Sequence, residues 1–317
     1  MLDKKILLLF LLIMTVLLGS CDEGLQIPEG TGMVSLNVIG TVPAGSTSQS
    51  VRSINALSRA VGDPVAIPVF GIAGTEIGTL TLTEVLIALE EIELKMEDAE
   101  VDTAEEEEQE IEIEFEGPYI IDLVSEISTP AMADVYLLPG IYDEIELKIA
   151  KMEGDEMGED GITPMVSETD PLYENSIYIT GSYTGETSGG DVVDTPFTFI
   201  LDLDEEFELT GAGDTSLGYE IVEGQALPLL IAFRLVRWFD FSNTETNEDG
   251  VLDFSDVVVV SDEILLDTDQ GEVNEAIREI IKENIKESAD YGEDEDEDGE
   301  LASEEDDDPD EEDEDDD

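Results

Sequence analysis

Histidine is absent from the 317 residues, and cysteine and tryptophan occur once each. Without histidine there is no Ser-His-Asp or Cys-His nucleophile pair and no imidazole ligand for a metal. A single thiol closes no internal disulfide and builds no thiolate zinc cluster. Basic residues are also scarce: 12 Lys and Arg stand against 83 Asp and Glu, a formal net charge of -71. Such a chain repels phosphate backbones, which argues against nucleic acid as a partner. No glycine-rich phosphate loop is present. What is there is an apolar fraction of 41%, enough for a packed core.

Lys4 and Lys5 precede an apolar run from Ile6 to Leu18, broken by Thr15. The run is short for a membrane span and suits a secretory signal peptide. Leu18-Gly19-Ser20-Cys21 comes directly after it and resembles the lipobox of bacterial lipoproteins. That resemblance implies cleavage before Cys21 and diacylation of its thiol by palmitate-class chains, with the lipid bilayer as partner. Two chains, at roughly 0.8 kcal/mol per buried CH₂, make a stable anchor. The location implied is the cell envelope, at the outer membrane or cell surface. Residues 1–20 then form the leader. Residues 21–32, with Gly24, Pro28, Gly30 and Gly32, form a tether.

Alternation of apolar with polar or small residues dominates the chain beyond the tether. Met33 to Ile39 reads as a first strand, and Pro64 to Phe70 as a short one. Gly45 to Arg59 is a Ser-rich loop. In Leu80 to Met96 the apolar residues alternate with one change of phase, between Leu89 and Ile92. A bulge, a turn or two strands would explain the change, and strand is favoured over a helix through Glu84 to Lys95. Glu97 to Gln109 is an acidic hairpin loop. Ile111, Ile113 and Phe115 alternate with glutamates, and Tyr119 to Val124 is another strand. Val135 to Leu138 and Ile145 to Ile149 flank a Pro139-Gly140 turn. After a linker over 153–172 a second β region spans 173–242, with alternation at Ile177, Phe197 to Leu203, Phe207 and Ile231 to Trp238. Ala276, Ile277, Ile280, Ile281 and Ile285 switch to a helical stripe. The expected fold is mainly β, an antiparallel β-sandwich of immunoglobulin-like or transthyretin-like type, with a C-terminal helix. The regions 33–152 and 173–242 read as two domains or as one large sandwich. Residues 243–292 hold a loop and the helix. Residues 293–317 hold 20 acidic and no basic residues, a tail disordered by composition.

Three stretches within 33–152 carry a family resemblance: residues 80–94, Ile120-Ile121-Asp122-Leu123-Val124, and residues 138–147 with their Pro139-Gly140-Ile141-Tyr142 turn. Together they resemble an uncharacterised domain of secreted prokaryotic lipoproteins, the domain of unknown function numbered 4382. The resemblance implies an exported or lipid-anchored protein with a β-sandwich-like fold. It brings no catalytic or binding residues.

Two acidic loops have calcium-ligand spacing. In residues 245–256, loop positions 1, 3, 5, 9 and 12 are Glu245, Asn247, Asp249, Asp253 and Asp256. Gly250 stands at the sharp turn and Leu252 at the apolar anchor position. Calcium takes six to eight hard oxygens, which this set supplies with a carbonyl and water. The loop resembles that of a cellulosomal dockerin. Val257 to Leu266 would continue from it as a helix or a strand. Residues 294–305 place Asp294, Asp296, Asp298 and Glu305 at positions 1, 3, 5 and 12, with Gly299 and Leu301 between. An acidic tail yields such spacing readily. The cofactor expected from these loops is Ca²⁺.

Residues 21–292 alone carry 62 acidic and 10 basic residues. This imbalance resembles that of halophile proteins, whose self-repulsion is screened by salt. Trp238, Phe239 and Phe241 suggest either a sugar platform or core packing, and alternation favours the core. No catalytic residues are assigned. The chain reads as a lipid-anchored envelope protein with a structural, adhesive or binding role toward a surface protein or glycan. The alternative is a carbohydrate-binding or glycan-hydrolysing envelope enzyme using a carboxylate pair.

Overall fold

Period-2 alternation places one side of a strand against the core and the other in water, and the strands of this protein follow that rule. The computed structural model describes residues 27–42, 63–96, 111–154, 165–211, 218–244, 246–247, 250–268, 270–293 and 301. The strands are β1 (Gly32–Thr41), β2 (Val65–Phe70), β3 (Glu76–Met96), β4 (Ile111–Asp122), β5 (Ile127–Thr129), β6 (Val135–Leu137), β7 (Gly140–Tyr142) and β8 (Glu144–Ile149). They continue as β9 (Ile177–Gly185), β10 (Val192–Leu201), β11 (Glu205–Glu208), β12 (Thr210–Gly211), β13 (Tyr219–Ile221), β14 (Ala226–Arg234), β15 (Ile264–Leu266) and β16 (Ala289–Glu293). The fold is mainly β: among the described residues 53% are strand and 10% helix.

Two sheets carry the architecture. A five-stranded sheet runs β12-β16-β14-β1-β6. A nine-stranded sheet runs β11-β8-β3-β9-β10-β15, with β2 and β4 also on β3 and β5 on β4. The apolar faces of both sheets enter one core: Val34, Leu36 and Val38 of β1 and Leu229, Ile231 and Phe233 of β14 cluster with Leu80, Ile92, Leu147, Ile179 and Phe199. Most ladders are antiparallel, while β1–β14, β10–β15 and β12–β16 are parallel. Strands from both sequence stretches share each sheet, since β9 pairs with β3 and β14 with β1.

β3 is the spine. Its 21 residues pair with β2 and β9 in the first half and with β4 and β8 in the second. The register shifts between Leu82 and Glu84 against β9, and between Leu89 and Glu91 against β4 and β8. Each irregularity adds a residue and returns the apolar phase to the core, so Leu80 and Leu82, then Val85, Ile87 and Leu89, then Ile92 and Leu94 are all buried. The phase therefore changes twice. The first change falls among Thr83 and Glu84, where no apolar pair marks it.

The C-terminal helix spans Glu272–Lys286 and buries Ile277, Ile281 and Ile285. Polar pins hold it as well. Arg278 Nε donates to the Ile200 carbonyl at 2.9 Å and Nη2 to Asp202 at 2.7 Å. Asn284 Nδ2 donates to the carbonyls of Trp238 and Asp240, each at 3.1 Å. Lys282 and Lys286 both grip Glu205 of β11, at 2.8 and 2.7 Å, and so tie the helix to that sheet edge. Two expectations need correction. The alternating run from Ile231 to Trp238 is strand to Arg234 and then a helical turn, Leu235–Trp238. Val257 to Leu266 is neither a helix nor one strand: a 3₁₀ turn, Phe254–Asp256, precedes it, and strand structure is confined to β15.

Candidate functional site: a carboxylate-paved sheet face

In β3, β4 and β8 the side chains between the core residues are glutamate or lysine. Ile92 and Leu94 point inward, so Glu91, Glu93 and Lys95 point outward. The same parity sends Glu112, Glu114 and Glu116 of β4, and Glu144, Glu146 and Lys148 of β8, to that outer face. Register then fixes who faces whom. Glu93 lies opposite Glu114 on one side and Glu146 on the other. Lys95 lies opposite Glu112 and Glu144, and Glu91 opposite Glu116 and Lys148. β11 extends the pavement with Glu206 opposite Lys148 and Glu208 opposite Glu146. Like charges directly opposite on a sheet oppose pairing.

Lys95 answers part of this. Its Nζ lies 2.5 Å from Glu146 Oε2, 2.8 Å from Glu144 Oε1 and 3.6 Å from Glu93 Oε2. These hydrogen bonds to Glu144 and Glu146 push the lysine pKa upward and hold it charged. The Glu146 carboxyl is lowered chiefly by its bond to Lys95. Glu206 is raised, first by its hydrogen bond with Glu146. Lys148 bonds Glu90 at 3.1 Å.

Glu93 is the exceptional group. It is 8% exposed, and its Oε1 is shielded from water. Burial, then a side-chain hydrogen bond shared with Glu112, raises its pKa from 4.5 to about 7, with Lys95 opposing. Its oxygens converge with others in two groups, Glu93-Glu112-Glu114 and Glu93-Glu146-Glu206, each with one oxygen per residue within 4.8 Å of the rest. Beside the first group a shallow depression is lined by Glu112, Ile113, Glu114 and Glu116. Oxygen-only donors of this kind suit protons or hard cations.

The residues expected at the first acidic loop are placed differently. Asn247 is buried, and its Nδ2 donates to the carbonyls of Phe241 at 3.0 Å and Leu252 at 3.1 Å. Asp253 caps the 3₁₀ turn: Oδ1 accepts from Ser255 N at 2.9 Å, and Oδ2 accepts from Ile72 N at 3.1 Å. Asp256 Oδ2 accepts in return from Asp253 N at 3.1 Å, closing a capping box. Gly250 does take the left-handed turn, with φ of 54°. Among the described residues of this loop, the carboxylates serve the chain's own backbone. Glu245 and Asp249 lie outside the described residues, as do Cys21, Asp294, Asp296, Asp298 and Glu305. Leu301, the anchor position of the second loop, is fully buried against Ile39, Leu230 and Ala232.

Trp238, Phe239 and Phe241 are buried to 1% exposure or less, so they pack the core and form no sugar platform. Trp238 Nε1 donates to Ser288 Oγ at 2.6 Å. Among the described residues no helix is long and apolar enough to cross a membrane.

Sequence pattern alone does not single out the glutamate face, although Ile-Glu-Ile-Glu and Ile-Glu-Leu-Lys runs at 111–114 and 145–148 carry its signal. Once such strands pair in register, the residues between their apolar positions must share one surface. No family model, curated protein or solved structure matches the chain.

Proposed function

We propose that this is a lipid-anchored protein of the cell envelope with a structural, adhesive or binding role. The observation that carries the reading is Leu18-Gly19-Ser20-Cys21, with the sole cysteine of the chain where a lipobox needs it. The described body supports it in two ways. β1 begins at Gly32, and its register partner is Leu137, next to exposed Tyr136 and Leu138. A tether from Cys21 to Gly32 reaches at most roughly 36–40 Å, so this apolar end stays close to a bilayer holding the acyl chains. The body itself is a β-rich unit whose outer carboxylates suit contact with cations or cationic partners. The family resemblance in 33–152 agrees with export. The alternative, an envelope enzyme acting on glycans, loses its aromatic platform to the core.

Metabolic labelling with a palmitate analogue tests the anchor. The wild-type chain takes label and sediments with membranes, whereas Cys21→Ala does neither. An unlabelled wild-type product free in the medium contradicts the reading.

A further inference from the structure

We propose that the outer face of the five-stranded sheet is the docking surface for the chain's own acidic C-terminal segment, which Leu301 pins there and low salt releases.

Alternation sends Val34, Leu36 and Val38 of β1 and Leu229, Ile231 and Phe233 of β14 into the core. Ile39, Leu230 and Ala232 then point the other way, to the side where a sheet commonly meets water. All three are nonetheless buried, at 8%, 3% and 1% exposure, and they cluster apart from the core. The fourth member of their cluster is Leu301, which is fully buried. Ile39 and Ala232 are register partners, and Leu230 stands two residues before Ala232, so the three frame one notch across the β1–β14 ladder. Leu301 is the one large apolar side chain after Tyr291. The notch therefore holds the residue of the tail that gains most from leaving water. The stretch from Glu293, where β16 ends, to Leu301 is long enough to cross back over β14 and β1, strands set about 4.8 Å apart.

Charge favours the same seat. The outer face of the nine-stranded sheet is paved with glutamate, whereas β1 and β14 contain no Asp or Glu. Arg234 shares the outward parity of Leu230 and Ala232, and its Nη1 lies 2.9 Å from Asp290 Oδ2 of β16. An acidic segment thus meets less repulsion over this face than over the glutamate pavement.

The seat is held by an apolar contact and opposed by charge. Residues 293–317 hold 20 acidic and no basic residues, and residues 21–292 hold 62 acidic against 10 basic. Repulsion between the two reaches about 10 Å at 0.1 M salt and about 3 Å at 1 M, while burial of Leu301 is not screened. The tail is therefore a strap that closes as ionic strength rises.

Electron paramagnetic resonance of a nitroxide on Ala302→Cys reads the seat, in a full chain whose own thiol is removed by Cys21→Ala. The spectrum should hold an immobilised component whose share grows at least about twofold between about 0.1 and about 1 M NaCl. Leu301→Ser should lose that component at both salt concentrations, and Leu301→Met should keep it. Val193→Ser, a change at an exposed apolar side chain far along the sequence, should leave it in place. Circular dichroism checks that each body is folded. Equal label mobility with Leu301 and with Leu301→Ser at 1 M NaCl overturns the docking. An immobilised share that stays level or falls as salt rises overturns its control by ionic strength.

Discussion

Trp238 is held by contacts of two kinds. Its ring packs edge-to-face on Phe233, with centroids 6.0 Å apart, and its Nε1 donates to buried Ser288. Truncation to Ala should cost about 3–5 kcal/mol. Ser288→Ala removes the acceptor while sparing the volume, and should cost about 1–3 kcal/mol. Urea unfolding of both variants checks the order, monitored by circular dichroism because the first lacks the fluorophore. Glu93 offers a second prediction. Its folded pKa of about 7 lies above the ordinary 4.5, so the folded state holds the proton more tightly than the unfolded chain. Its favourable contribution is therefore full below pH 4.5 and is lost as pH rises through about 7. Wild type should lose stability as pH rises from about 4.5 to about 7, and Glu93→Gln should lose less over that range. Equal pH slopes for the two proteins would show that Glu93 is not the group responsible.

At the scale of elements, β3 sets the geometry of everything else, and its partner β9 comes very close at Gly181. A Cβ placed there would lie 2.1 Å from the Thr81 carbonyl oxygen, which is backbone and cannot swing aside. Gly181→Ala should open this ladder and cost more than about 3 kcal/mol, with insoluble product as the extreme; the soluble yield and unfolding midpoint check this. Much of this level was legible. The strands β1, β2, β8, β9 and β10 obey alternation, the shift after Leu89 is a bulge, and the stripe at Ile277, Ile281 and Ile285 is a helix. The failures share a cause, because alternation reports burial and not backbone. The run to Trp238 alternates, yet its last four residues turn helical to bring Trp238 beneath Asn284 and Ser288. The shift near Thr83 carries no apolar signature. The glutamate face was illegible for another reason: its members come from strands β3, β4, β8 and β11, and only the pairing order brings them together. The pairing of β1 with β14 spans most of the chain and leaves no local mark.

For the whole molecule the dominant fact is a formal charge of -71, with 62 acidic against 10 basic residues in 21–292 alone. Its lysines are few, and four of them are already engaged: Lys95 with three glutamates, Lys148 with Glu90, and Lys282 and Lys286 with Glu205. The remaining repulsion must be met by mobile ions. The fold is therefore expected to depend on the cations around it. Surface repulsion reaches about 10 Å at 0.1 M salt and about 3 Å at 1 M, so raising salt should relieve most of it. The direct measurement is the urea unfolding midpoint, read from the fluorescence of Trp238, in buffers from about 0.1 to about 1 M NaCl. Dependence on cations predicts a midpoint that climbs steadily with salt. A midpoint that stays level or falls would contradict it.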